Sequence, residues 1–404
     1  MREPTAERRV EHRNWLLSLT GVPTAAGREA RVVAWVERWL SEREGLALER
    51  DEHGNLTLSL NVGESIDEPP VYFTAHLDHP AFVVERMVSP TIVELAFRGG
   101  VMDDYFHQAR VVIHDADEGR HRAVLDERDG PQEPYKRFLA ELIDTESSGA
   151  IAVGDVATWD LPKPEIVEVD GVELLRTPAC DDLAAAVAAL AALDELRLRR
   201  LAGEPTLDAR VLFTRAEEIG FVGAIGACRA KTIPEDARVI ALENSRANLE
   251  APIGGGPIVR VGDRLTIFDP RLTGGVAKRM EQISGGSAHL TAQQKKDDTP
   301  SRPWQRKLMA GGACEATVFC NFGLRATCVC LPLGNYHNMG RLDEMQAGAV
   351  EGTPPIEPEE IAIGDFEGMV DLLTACGLAL PTDAGMGERL EKIWSDRAGV
   401  LREA

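Results

Sequence analysis

The residues of this chain best suited to chemistry are histidines and carboxylates that directly follow predicted strands. His76 and Asp78 come just after the apolar run at 71–75, one residue apart, so their side chains project to the same side. A neutral imidazole binds a divalent metal through one nitrogen, and a nearby carboxylate can hold its other N–H and fix the ring. The pair therefore predicts a metal ligand and its orienting group, with a surface polar pair as the ordinary alternative.

Two adjacent carboxylates, Glu217 and Glu218, follow the predicted strand at 210–213. Open α/β sheets bind their ligands at the carboxyl ends of strands. Two acids placed side by side there repel each other unless a cation or a proton separates them. The adjacent carboxylates of Glu217 and Glu218 therefore also predict a cation-binding site.

Three further candidates are ordinary when each is considered alone. Asp181 precedes a long Ala/Leu helix, where a helix cap is the simpler explanation, and Glu243 and His337 follow two more predicted strands. Together with the residues above they make a set of ligand types that all fall at or beside predicted strand ends. The predicted ligands are His76, Asp181, Glu218, Glu243 and His337. A sixth group, the carboxylate of Glu217, remains free beside them.

The elements that must position these residues follow from hydrophobic periodicity. Helical spacing predicts two helices between residues 9 and 44, and short apolar runs predict strands up to residue 75. From Ala81 to about Leu175 short alternating strands dominate, after which strands and helices alternate. We predict an α/β fold with a mixed sheet covered by helices on both faces. Residues 1–80 and 176–404 would form the catalytic domain, and residues 81–175 an inserted, barrel-like β-rich domain.

Composition restricts the class of protein. There are 44 Lys and Arg against 66 Asp and Glu, a net charge of -22, which repels nucleic acid and anionic membranes. The charged N-terminal segment has no apolar signal region, which predicts a cytoplasmic protein. The seven cysteines include no CxxC pair, so reduced thiols are expected. Residues 346–360 are rich in Gly, Pro and Glu and predict an exposed loop.

The ordered set of motifs resembles the dinuclear zinc peptidases, and among them the tetrahedral or glutamyl aminopeptidases. The resemblance extends over nearly the whole chain. The matching motifs are His76-Leu77-Asp78, Asp181-Asp182, the segment from Thr214 to Gly220, Gly255-Gly256-Pro257, Gly311-Gly312 and Tyr336-His337.

The resemblance implies a zinc-peptidase-like fold that holds two divalent metal ions, with zinc expected and cobalt or manganese as alternatives. It implies that Asp181 bridges the metals. His76 and Glu243 would complete one site, and Glu218 and His337 the other.

It also implies a general base, Glu217, an orienting role for Asp78 toward His76, and a cis Asp181–Asp182 peptide. Peptide substrates and a homo-oligomer, from a dimer up to a dodecamer, are expected, with the β-rich insert as lid and assembly surface.

Departures from the family pattern leave substrate choice open. Glu243 stands where these aminopeptidases usually have Asp, whereas related carboxypeptidases have Glu. His79-Pro80 and Cys314-Glu315 also differ from the expected residues. A carboxypeptidase or an N-acyl amino-acid deacylase is therefore an alternative, and so is a non-catalytic binding protein with the same fold. The insert's place between the first ligand and Asp181 favours the aminopeptidase.

Overall fold

An eight-stranded mixed sheet forms the centre of the computed structural model, which describes residues 3–128, 134–143, 150–288, 302–382 and 385–402. In spatial order the strands are β1 (Leu46–Arg50), β2 (Leu56–Leu60), β12 (Ala209–Thr214), β3 (Val71–His76), β13 (Arg238–Arg246), β16 (Arg325–Leu333), β14 (Ile258–Asp263) and β15 (Gln305–Met309). The four strands β12, β3, β13 and β16 run parallel. Their carboxyl ends consequently meet at one edge of the sheet.

Helices cover both faces of this sheet. They are α1 (Ala6–Leu19), α2 (Ala30–Ser41), α3 (Leu183–Leu201), α4 (Val222–Arg229), α5 (Pro270–Ser284), α6 (Glu315–Asn321) and α8 (Ile363–Leu378). Two other helices lie elsewhere: α7 (Leu342–Gln346) packs on the barrel through Leu342, and α9 (Met386–Arg397) buries none of its residues. Phe73 and its alternate neighbours on β3 pack with α1, α2, α3, α5 and α8, whereas Tyr72 packs with α4 and α6. This alternation follows from the twofold period of a strand. The small alanines of α3 let that helix lie buried against the sheet.

Six antiparallel strands close into a separate barrel. They are β4 (Ala81–Met87), β5 (Ile92–Arg98), β6 (Arg110–His114), β7 (Arg120–Arg128), β8 (Lys136–Leu142) and β9 (Val156–Trp159). Aromatic rings fill the interior: Phe82 lies edge-on to Phe97 and to Trp159, both at 4.9 Å between ring centroids, and Phe106 stacks on Phe138 at 4.5 Å. The mixed sheet, its two helical layers and the barrel confirm the predicted fold class.

The domain limits assigned from the sequence stay a prediction. The two strands that follow the barrel, β10 (Glu165–Val169) and β11 (Val172–Thr177), pair with each other outside it, and β11 also pairs with β17 (Glu359–Ala362). Within the described ranges, every helix is too short or too polar to cross a membrane.

Candidate metal centre

Each of the four parallel strands brings a side chain to the same edge of the sheet. His76 is the last residue of β3, and Glu243 lies in the second half of β13. Glu217 and Glu218 follow β12 directly, and His337 follows β16. Because these strands end side by side, residues up to about 260 positions apart in the sequence come together in one buried cluster.

Asp181 enters the cluster from the segment before α3 and lies between the two histidines. Its Oδ1 is 3.3 Å from Nε2 of His76, and its Oδ2 is 3.5 Å from Nε2 of His337. The peptide bond between Asp181 and Asp182 is cis, as the family resemblance implies. One carboxylate thus presents one oxygen to each histidine.

Two groups of ligand atoms share this carboxylate. His76, Asp181 and Glu243 form the first, and Asp181, Glu218 and His337 form the second, with the offered atoms of each group within 4.8 Å of one another. In the second group Nε2 of His337 is 3.5 Å from Oε1 of Glu218. A further group combines His76 with Glu217 and Glu218. The structure therefore brings all five sequence-predicted ligands together in the predicted pairing.

The chemistry of these donors fits divalent metal ions. Asp181 Oδ1 and Glu218 Oε1 are buried, and neither has a hydrogen-bond donor within the part of the chain that the structure describes. Burial of an unsatisfied charged oxygen is costly, and a cation removes that cost. Donor atoms at about 2.0–2.2 Å from a tetrahedral zinc ion lie about 3.3 Å apart. The separations of 3.3 and 3.5 Å around Asp181 are close to that value.

Burial changes the pKa of several carboxylates in this cluster. Burial raises the pKa of Glu217 well above its ordinary value; His76 opposes this effect, and the negative charge of Glu243 adds to it. Burial likewise raises the pKa of Glu243 to about 7, with Asp181 contributing. Burial would raise the pKa of Asp181 as well, but its contacts with the two histidines hold that pKa below its ordinary value.

Asp78 contacts both the Glu217–Glu218 turn and the ring of His76. Its two carboxylate oxygens accept hydrogen bonds from the backbone N–H groups of Glu217 at 2.9 Å and Glu218 at 3.1 Å. The ring Nδ1 of His76 is 3.1 Å from the Asp78 carbonyl oxygen but 3.7 Å from its nearest carboxylate oxygen. The side chain of Asp78 therefore anchors the Glu217–Glu218 turn, and its main chain faces the imidazole.

Glu359 is a site residue that the sequence interpretation missed. The prediction of an exposed loop at 346–360 is wrong at this position, because Glu359 is fully buried at the start of β17. Its carboxylate accepts hydrogen bonds from the backbone N–H groups of Cys180, Asp181 and His337, at 2.7, 3.0 and 2.8 Å. The sequence gives no metal-ligand pattern here; the only available signal is the short strand pattern at 359–362.

Two further contacts hold the ligands from outside the sheet. The ring Nδ1 of His337 is 2.6 Å from the carbonyl oxygen of Gly100, which follows barrel strand β5. The ring Nδ1 of His79 is 2.6 Å from the carbonyl oxygen of Asp181. Such second partners fix the orientation of metal-binding groups. The barrel thus contributes a backbone atom to the centre.

The cluster opens into a cavity of about 480 Å³. The carboxylates and His337 form its floor, Met102 reaches it from the barrel side, and the turn at Gly311 and Gly312 borders it. This volume is within the usual range of ligand sites.

The buried histidines and carboxylates of this site could hold metal ions. The sequence profile of the M42 glutamyl aminopeptidases matches residues 54–284, which is more than half of the 404 residues, and the chain belongs to this family. It is therefore a hydrolase that acts on peptides. The comparison with curated protein sequences finds no match.

Solved structures show the same fold at low sequence identity. An aminopeptidase from the archaeon Desulfurococcus kamchatkensis is 19% identical with a TM-score of 0.69, covering 93% of this chain and 96% of its own. A TET aminopeptidase from a marine sediment Thaumarchaeota archaeon is 18% identical, with a TM-score of 0.68 and coverage of 93% and 99%. The TET1 peptidase of Pyrococcus horikoshii, which can assemble into a tetrahedron or an octahedral shell, is 17% identical, with a TM-score of 0.66 and coverage of 92% and 100%.

Proposed function

We propose that the protein is a metal-dependent aminopeptidase that releases N-terminal residues from peptides, using two divalent ions. The proposal rests chiefly on one observation, the placement of Asp181 with one oxygen toward His76 and the other toward His337. Zinc is the expected metal, with cobalt and manganese as alternatives, because a donor set of imidazoles and carboxylates suits all three.

In this proposal His76, Asp181 and Glu243 hold one ion, and Asp181, Glu218 and His337 hold the other. Such ions, when bound, polarise the scissile carbonyl and lower the pKa of the attacking water. Asp78 and Glu359 keep the ligands in place through the backbone N–H groups that they bind.

Glu217 is the proposed general base. Its side chain borders the cavity, and its Oε2 is 3.9 Å from Nε2 of His76. Burial raises its pKa, and a group that takes and returns a proton near neutral pH works best with its pKa near that pH. We propose that it removes a proton from the attacking water and donates it to the leaving amine.

The barrel and the assembly state belong to the same proposal. Met102 and the Gly100 carbonyl reach the centre from the barrel, which suits a lid role for the predicted insert at 81–175. A homo-oligomer is proposed from the relatives, since a Pyrococcus horikoshii TET1 structure is described as a dodecamer. Light scattering of the purified chain tests this assembly, and a monomer would contradict it.

A Glu217→Gln variant tests the mechanism. We expect unchanged metal content and a turnover lowered by about 10²–10⁴-fold, since an amide cannot accept the proton. Glu235→Gln, at an exposed position, is the matched control and should keep full activity. Turnover near the wild-type rate in Glu217→Gln would exclude this residue as the base.

Glu243 favours a second candidate, a carboxypeptidase or an N-acyl amino-acid deacylase. Aminoacyl p-nitroanilides, N-acyl amino acids and peptides with blocked N-termini separate the three activities when zinc, cobalt or manganese is added. Cleavage only of substrates with a free amine supports the aminopeptidase. Cleavage only of blocked substrates supports the second candidate, and a chain that takes up no metal is a binding protein.

A further inference from the structure

The helix α9 carries an apolar face that no described part of the chain covers. Its apolar side chains recur every three or four residues, a spacing that places them on one side of a helix. These side chains, between 43 and 61% exposed, are Met386, Leu390, Ile393 and Trp394. Two more exposed apolar side chains, Val400 and Leu401, follow in the 3₁₀ helix Ala398–Arg402. Monomeric proteins rarely expose a large contiguous apolar patch.

The helix α2 has the same length and the same kind of pattern, but it is packed. Val32, Val36 and Trp39 lie at helical spacing and are buried, with Trp39 only 4% exposed. An isolated helix of 12 residues is marginal in water, and most helical stability in proteins comes from packing of the apolar face. Within the described residues, α9 lacks the contact that stabilises α2.

The charges of α9 favour a protein partner over a membrane. Its acidic and basic residues are equally frequent: Glu388, Glu391 and Asp396 against Arg389, Lys392 and Arg397. Helices that lie on membranes are rich in Lys and Arg on their polar face. The whole chain has a net charge of -22, which repels anionic lipid.

The apolar face of α9 is complementary to itself when two copies of the helix run antiparallel. Leu390 of one copy then packs against Ile393 of the second copy, and the twofold symmetry of the pair forms this layer twice. In the same register Trp394 lies opposite Gly387 of the second copy. The largest side chain of the helix therefore meets a residue that leaves room for it.

The charges beside these layers fit the same arrangement. Arg389 of one copy lies opposite Asp396 of the second copy, so opposite charges meet at both ends of the pair. Asp396 already pairs with Lys392 at 2.9 Å, but both of these side chains are more than half exposed, and a carboxylate can accept from a second donor. In a parallel pair Asp396 would instead face Leu401 of the second copy.

We propose that α9 is a self-association surface, which packs antiparallel against α9 of a second copy of the chain. The surface is separate from the candidate metal centre, since no residue of α9 borders the described cavity. Few apolar side chains take part, so the contact is smaller than a standard interface. It acts together with other contacts between the same chains, because one contact raises the effective concentration for the next.

Disulfide trapping in the full chain tests the antiparallel register. Chains with Arg389→Cys and chains with Asp396→Cys are coexpressed and oxidised, and a non-reducing gel measures the covalent dimer. We expect a dimer from the mixture and little from either variant alone, because identical positions lie about 10 Å apart along the helix axis. The unsubstituted chain is the control, since its native cysteines are buried or half-buried. No dimer from the mixture, or equal dimer from the single variants, would overturn the proposal.

Charge reversal provides a second, independent measurement. Asp396→Arg should weaken self-association by about tenfold in sedimentation velocity, because each pair loses two attractions and gains two repulsions. Adding Arg389→Asp to the same chain should restore it. Glu388→Arg, the same change of charge on the opposite side of the helix, is the matched control. Equal weakening by Glu388→Arg, or no restoration in the double variant, contradicts the proposed contact.

Two other occupants of the apolar face give different results. Binding to phosphatidylglycerol vesicles that Trp394→Ser abolishes would assign the face to a lipid surface. A chain that is monomeric and gives no covalent dimer would assign it to the body of the same chain. Either result overturns the proposal. Peptidase activity should be the same in all of these variants, so the test is independent of the proposed function.

Discussion

The central sheet and the barrel use strands for different purposes. Four parallel strands end at one edge of the sheet and place charged side chains there, whereas the antiparallel barrel closes around Phe82, Phe106 and other aromatic rings. The barrel gives the centre a backbone carbonyl, that of Gly100. Parallel strands bring distant side chains to one place, because their carboxyl ends all face the same way. An antiparallel barrel instead closes around an apolar core of its own.

The two regions also differ in what stabilises them. At the sheet edge, hydrogen bonds hold buried carboxylates in place, whereas the barrel interior depends on apolar contacts. They are nevertheless joined, because Tyr105 of the barrel donates a hydrogen bond to the carbonyl oxygen of Gly340 at 2.8 Å. Variants in each region should therefore separate metal binding from general stability.

The largest effect is expected at Glu359. Glu359→Ala removes the acceptor from three backbone N–H groups, at a cost of about 1–3 kcal/mol for each donor left buried and unsatisfied. Since two of these groups belong to Asp181 and His337, metal affinity should fall as well. Urea denaturation and metal analysis measure both effects. Glu360→Ala, which removes a partly exposed ion pair with Arg176, is the control, and equal effects would contradict the assigned role.

Phe106→Ala should act on the barrel alone. The ring is 4% exposed and stacks on Phe138, so its truncation should lower the free energy of unfolding by about 3–5 kcal/mol. Metal content should remain unchanged, because Phe106 contacts no ligand. Chemical denaturation measures the free energy of unfolding, and metal analysis measures the metal content. Phe322→Ala, which truncates a half-exposed ring, is the control. Loss of metal would show that the two regions are more tightly coupled than the contacts suggest.

A smaller, pH-dependent effect is expected at His114 in β6. Burial lowers its pKa to about 3, assisted by Arg120 and Arg31, so the folded protein keeps this histidine neutral. In the unfolded chain it binds a proton below about pH 6.5. The contribution of His114 to the free energy of unfolding is therefore fully present above that pH and is lost as the pH drops toward 3. The loss is at most about 2 kcal/mol between pH 6.5 and 5. His114→Gln should reduce this acid sensitivity in denaturation experiments; an unaltered pH profile would contradict it.

The sequence alone was sufficient to predict the fold class, which the structure confirms, and to propose the ligand set, which stays a prediction. Apolar runs that end near His76, Glu217 and Glu243 predict buried strands. The sequence also shows that residue types able to bind a metal follow these strands. The pairing of ligands through Asp181 came from the family resemblance, and the cluster geometry agrees with it. The general base and the second domain's limits remain predictions.

The three-dimensional structure was needed to show how these residues are held. Asp78 binds two backbone N–H groups, Glu359 binds three, and His337 meets the carbonyl of Gly100. Backbone atoms are the same at every residue, so a sequence cannot indicate which of them a side chain will meet.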